Sequence, residues 1–125
     1  MTQEEKQLLL IDLSARLPYG VKCAFYSSHG VIPSTIIKID VENETVSHKP
    51  EGQSVVYFHF VESENIKPYL RPMSSMTDEE KVKMKSDLFT EFTAEGFDWL
   101  NAHHFDYRGL IPMGLALEAP EEMYG

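Results

Sequence analysis

The 125-residue sequence has one cysteine, Cys23, and little positive charge: 11 lysines and arginines stand against 20 aspartates and glutamates, a formal net charge of -9. A lone thiol excludes an internal disulfide and any multi-cysteine zinc site, and it fits a reducing cytoplasm. The scarcity of cations argues against direct binding to nucleic acid or to anionic membrane, and makes basic proteins the partners that charge would attract. No apolar run approaches the roughly 18 residues of a membrane span. The opening "MTQEEKQLLLIDLSARL" has acids where an export signal has bases, and Asp12 and Ser14 interrupt its apolar stretch. No glycine-rich loop joins a strand to a helix, so a phosphate cradle has no signature, and no cofactor is expected. What is present is the composition of a folded domain, 42% hydrophobic and 25% charged, long enough for one core over residues 1–125.

Thr2 with Glu5 forms a capping box, and Leu9, Leu10, Leu13 and Leu17 recur at helical spacing, so a helix is predicted from Thr2 to Leu17, ended by Pro18 and Gly20. "VKCAFY" alternates, with Val21, Cys23 and Phe25 on one face of a first strand. "SSHGVIP" reads as a loop. In "STIIKIDV" the pattern sets Thr35, Ile37, Ile39 and Val41 against Ile36, Lys38 and Asp40, and a turn at "ENE" makes residues 35–49 a hairpin. In "SVVYFHFV" both faces carry apolar bulk, Val56, Phe58 and Phe60 against Val55, Tyr57 and Val61, which implies cover on both sides.

From Glu62 the periodicity stops, leaving a proline-containing loop with a helical turn or short strand at Ile66–Leu70. A second capping box, Thr77 with Glu80, opens a helix with Met84, Leu88, Phe89 and Phe92 along its stripe and Gly96 at its end. A shorter helix follows through "FDWLNAHHF", with Asp98 as its cap. In "GLIPMGLALEAP", Met113, Leu115 and Leu117 face away from Gly114 and Ala116. The segment 110–117 is therefore extended and buried, on the chain's own sheet or on that of a second copy in a homo-oligomer. Glu121 to Gly125 read as a solvated, dispensable tail. The fold class is α+β: an N-terminal helix, a small antiparallel sheet or SH3-like or Sm-like barrel of 3–5 strands, two C-terminal helices and an extended C-terminal segment.

Chemistry-bearing residues concentrate in "WLNAHHFDYRGL", 99–110. Adjacent His103 and His104 point about 100° apart on a helix and make a poor chelating pair, so no metal is expected; one should pack on Trp99 and the other be solvated. Asp106, Tyr107 and Arg108 suit the free backbone groups at a helix end, a structural cap. Cys23 falls on an inward-facing strand position, where a thiol is an inert hydrophobe, so no catalytic residue is assigned.

Three stretches, "LSARLPYGVK" at 14–22, "IKPYLRPMSSMTDEEK" at 66–81 and "DWLNAHHFDYRGLIPMGLALEAPEEMYG" at 98–125, resemble a family of small proteins encoded by gut Bacteroides-type bacteria, often in prophage-like regions. That family has no assigned activity, catalytic residue or cofactor. The resemblance implies a context, mobile-element biology in a bacterial cytoplasm, and leaves residues 23–60 to be read on their own. The function expected is thus a non-enzymatic interaction or accessory protein of phage or prophage origin, with a protein partner. Its surface would join Lys67, Tyr69 and Arg71 of the "KPYLRP" loop to His103, His104, Tyr107 and Arg108. Two alternatives stay open: an acidic DNA mimic that fills a basic groove on a nucleic-acid enzyme or defence complex, and a small enzyme with a pocket at His59 or at His103–Arg108.

Overall fold

The computed structural model describes residues 1–84 and 93–124. Helix α1 (Gln3–Arg16) starts at the expected capping box: the Thr2 hydroxyl accepts from the Glu5 N–H, and the Glu5 carboxylate accepts from the Thr2 N–H. A single helical turn, Leu17–Tyr19, then carries the chain to Gly20, whose φ of 76° is the left-handed geometry that ends the helix.

Six strands follow: β1 (Lys22–Ser27), β2 (Gly30–Asp40), β3 (Thr45–Pro50), β4 (Tyr57–Phe60), β5 (Ile66–Leu70) and β6 (Leu117–Glu118), in the sheet order β4-β3-β2-β1-β5-β6. All pairings are antiparallel except β5 with β6. β4 and β6 end the sheet unpaired with each other, so the sheet is open and the barrel expectation is corrected. Its strands also exceed the 3–5 expected, because β6 comes from the C-terminal segment.

"SSHGVIP" proves too short for a loop. Ser27 pairs with Gly30, and the Ser27 hydroxyl accepts from the His29 N–H and donates to the Gly30 carbonyl, closing a two-residue turn. The facing of β2 is also corrected. The register slips between Ile36 and Lys38, a bulge that puts Ile36 and Ile39 on the same side and leaves Ile37 exposed. A strict period of two cannot anticipate one extra residue.

Helix α1 lays Leu9, Leu10 and Leu13 on the inner face of the sheet, against Cys23, Phe25, Ile36, Val46, Ile66 and Leu70. Leu110, Leu115 and Ala116 close the same core, but the expected extended segment is corrected: residues 110–114 form a turn that exposes Pro112, Met113 and Gly114, Leu115 and Ala116 are both buried, and only Leu117–Glu118 are strand. A second cluster gathers Met76, Leu100 and Phe105, with Met84 and Trp99 against it. Helix α2 (Asp78–Lys83) opens at the expected Thr77–Glu80 capping box, while Leu88, Phe89 and Phe92 lie outside the described residues. Helix α3 (Ala94–Ala102) is capped by Thr93 instead of Asp98 and contains Gly96, which therefore ends no helix. No helix among the described residues is long and apolar enough to cross a membrane.

Candidate functional site

The two stretches that the sequence reading joined do meet. Arg71 and Phe105 form a parallel bridge, in which the Arg71 N–H donates to the His104 carbonyl and the Asp106 N–H to the Arg71 carbonyl. Their side chains, however, turn to partners within the chain. The Arg71 guanidinium forks onto both oxygens of Glu80 at 2.8 and 2.7 Å and lies 4.1 Å from the Phe105 ring centre; this hydrogen bonding holds the Glu80 carboxyl down at about 2. His103 stacks on Trp99 at 4.2 Å, as expected of one histidine. His104 is not solvated. It is buried, stacks on Tyr124 at 3.9 Å, and donates from Nε2 to the Tyr19 carbonyl. Its Nδ1 is buried without a hydrogen-bond partner, and burial, then the nearby Arg16 charge, pull its pKa down to about 4.

Asp12 anchors the other end of this region. Its carboxylate accepts from Arg16 Nε at 2.8 Å and from Arg108 Nη1 at 2.8 Å, while Arg16 Nη2 donates to the Phe105 carbonyl. Asp106 caps the following turn by accepting the N–H groups of Leu110 and Ile111, and Tyr107 donates to Asn101 Oδ1. Of the seven residues chosen from the sequence, His104 is buried and the other six are half-buried. Lys67 and Tyr69 stand apart from the rest, on strand β5.

A buried polar chain that the sequence reading missed runs through the sheet. Ser34 Oγ lies 2.7 Å from His48 Nδ1, and His48 Nε2 lies 3.0 Å from His59 Nδ1. The chain has two consistent senses, Ser34 donating to His48 Nδ1 and His48 Nε2 to His59 Nδ1, or the reverse, so the tautomers of the two imidazoles are set together. Burial, then the neighbouring His59, lowers His48 to about 4, and burial lowers His59 as well. His59 lines a shallow concavity of about 550 Å³ beside His29, Tyr57 and Asn65. Ser34 is buried and cannot act as a nucleophile there, and burial pushes the Cys23 thiol up to about 12. No group of three metal-ligating side chains is placed to hold an ion among the described residues.

The sheet's outer face is different in kind. Directly paired residues of adjacent antiparallel strands lie on the same side. The register Phe58 to Ser47, Ser47 to Lys38, Lys49 to Thr35, Thr35 to Lys22 and Ala24 to Lys67 thus sets Lys22, Lys38, Lys49, Lys67 and Phe58 on one face, opposite the core. Phe60 and Tyr69 share it, two residues from Phe58 and Lys67. Phe58 is 71% exposed and Phe60 60%, so the expected second cover over β4 is absent: it is a four-residue edge strand whose apolar outer side is bare. Among the described residues none of the four lysines is in an ion pair, whereas Lys6, Arg16, Arg71 and Arg108 all are. The one carboxylate paired into this face, Asp40, accepts two hydrogen bonds from Asn43. No protein-family model matches the chain, and no curated protein or solved structure matches it either.

Proposed function

We propose that this chain is a non-enzymatic interaction protein, of phage or prophage origin and acting in a bacterial cytoplasm, and that the outer face of its sheet is the docking surface. The observation that carries the reading is the exposure of Phe58 and Phe60 on an edge strand with no proline, charge or bulge to blunt it. Large apolar groups at such exposure cost solubility without adding to the core, which favours a surface that is covered in use. The family resemblance supplies the phage context. The Arg71 to Arg108 region serves the fold in this reading, since its guanidinium groups and its carboxylates are already bonded to each other.

A photo-reactive phenylalanine analogue at position 58, compared in the native host with one at exposed Ile11 on α1, tests the reading. A specific adduct at 58 and none at 11 is the expected result. Equal labelling at both positions, or none, removes the outer face as a docking surface.

A further inference from the structure

We infer that the outer face of the sheet binds single-stranded nucleic acid, with Lys22, Lys38, Lys49 and Lys67 on the phosphates and Phe58 and Phe60 as stacking platforms for bases. This rests on the docking surface proposed above and names its occupant. β3, β2, β1 and β5 are consecutive in the sheet, and each contributes one of the lysines. Three interstrand spacings separate the outermost two, about 14 Å, which a few nucleotides cover. The phenylalanines lie at one border of this lysine row, with their rings open to solvent. A positive track beside exposed aromatic rings is the pairing that recognises an unpaired strand, because every base has a π-face and every linkage a charge. A duplex keeps its bases stacked inside and leaves the rings unused.

The net charge of -9 does not decide the matter, since the sign that a ligand meets is local. Glu5 of α1, with Glu62 and Glu64, lines the same concavity as Lys67, at the end of the row farthest from the phenylalanines, and Glu51 lines another beside Lys22, which leaves Lys38 and Lys49 as the lysines nearest the rings. Asp40, the one acid among the paired positions of this face, is held ionised by the Asn43 hydrogen bonds and by Lys38, and it lines the same concavity as Lys38, Phe58 and Phe60, so it offsets part of the Lys38 charge there. An acidic protein segment satisfies the lysines equally but offers a π-face only where it carries an aromatic residue, whereas every nucleotide has one to set against Phe58 and Phe60.

Fluorescence anisotropy of labelled oligothymidylate and oligouridylate of about 20 nucleotides, titrated with the full chain at low salt, tests the inference. The expected result is saturable micromolar binding, with log affinity falling against log salt at a slope near -3, about 0.7 for each of four phosphates. Lys38→Glu with Lys67→Glu should weaken binding at least tenfold, and Phe58→Ser with Phe60→Ser about as much, with unchanged circular dichroism in both. No binding at high micromolar protein overturns the inference, and so does binding that survives both pairs of substitutions. Polyglutamate of equal length competing as well as the oligonucleotide also overturns it. If oligonucleotides fail to bind while position 58 still crosslinks a protein in the host, this inference falls and the docking surface stands.

Discussion

On the inner side of the sheet the polar groups are mostly bonded, with Arg16 Nη1 and His104 Nδ1 as exceptions: Ser34, His48 and His59 bond in sequence, Asp12 holds two arginines, and Phe25 packs against both imidazoles. On the outer face four lysines have no acid within ion-pair distance among the described residues, and two phenylalanines stand largely exposed. The contrast separates groups that hold the fold from groups that the fold holds out. A buried ion or histidine must be paired because desolvation penalises it, so its presence is explained by structure alone. An exposed phenylalanine is not required by the core, and its presence asks for another explanation.

Substitutions on the two faces should therefore differ in kind. The largest effect is expected for Asp12→Ala, which leaves Arg16, fully buried, without its carboxylate. A loss of about 3 to 5 kcal/mol in urea unfolding, or insoluble protein, is the expected outcome. Acid should act next. His48 and His104 are held neutral down to about pH 4 in the folded chain, but their unfolded imidazoles titrate near 6.5. The unfolded state thus gains protons first, and the stability present above pH 6.5 is lost as the pH falls toward 4. The loss is about 3 kcal/mol for each histidine at most. Unfolding free energies measured across that window check it, and His48→Gln should flatten the slope.

A smaller effect belongs to Tyr124. Its hydroxyl accepts from the Lys22 N–H and donates to the Tyr69 carbonyl, both at 2.8 Å, so the chain end pins β1 to β5 and is no solvated tail. Tyr124→Phe keeps the stacking on His104 and should cost about 1 to 2 kcal/mol, read by thermal melting. The smallest effect is expected on the outer face. Phe58→Ser or Lys38→Gln should change stability by no more than about 0.5 kcal/mol, and a larger loss in the same melts would place these residues in the fold after all.

Much of the architecture was legible. Both capping boxes, the β2–β3 hairpin and the inward side of β1 followed from local pattern, where one or two residues decide the outcome. The β2 bulge was not, since a single inserted residue reverses the facing without any mark in composition. β4 misled for a related reason. Apolar residues on both sides of "YFHF" look like a central strand, and only the sheet order reveals an edge. The histidine chain joins residues 14 and 11 positions apart and depends on that same register. The lysine face was half visible, because the alternation that points Cys23 and Phe25 inward points Lys22 outward. Summing charge over the whole chain hid it, since the acids that set the total lie mostly at turns and on the helices.

The central claim, that the outer face is kept for a ligand while the inner face and the 103–108 region serve the fold, has a direct test in one titration. Amide resonances of the labelled chain are followed as an oligothymidylate of about 12 nucleotides is added at low salt. Progressive shifts at Lys22, Lys38, Lys49, Phe58 and Phe60, with α1 and residues 103–108 unmoved, are the expected result. Shifts confined to His103–Arg108, or none at all, would contradict it.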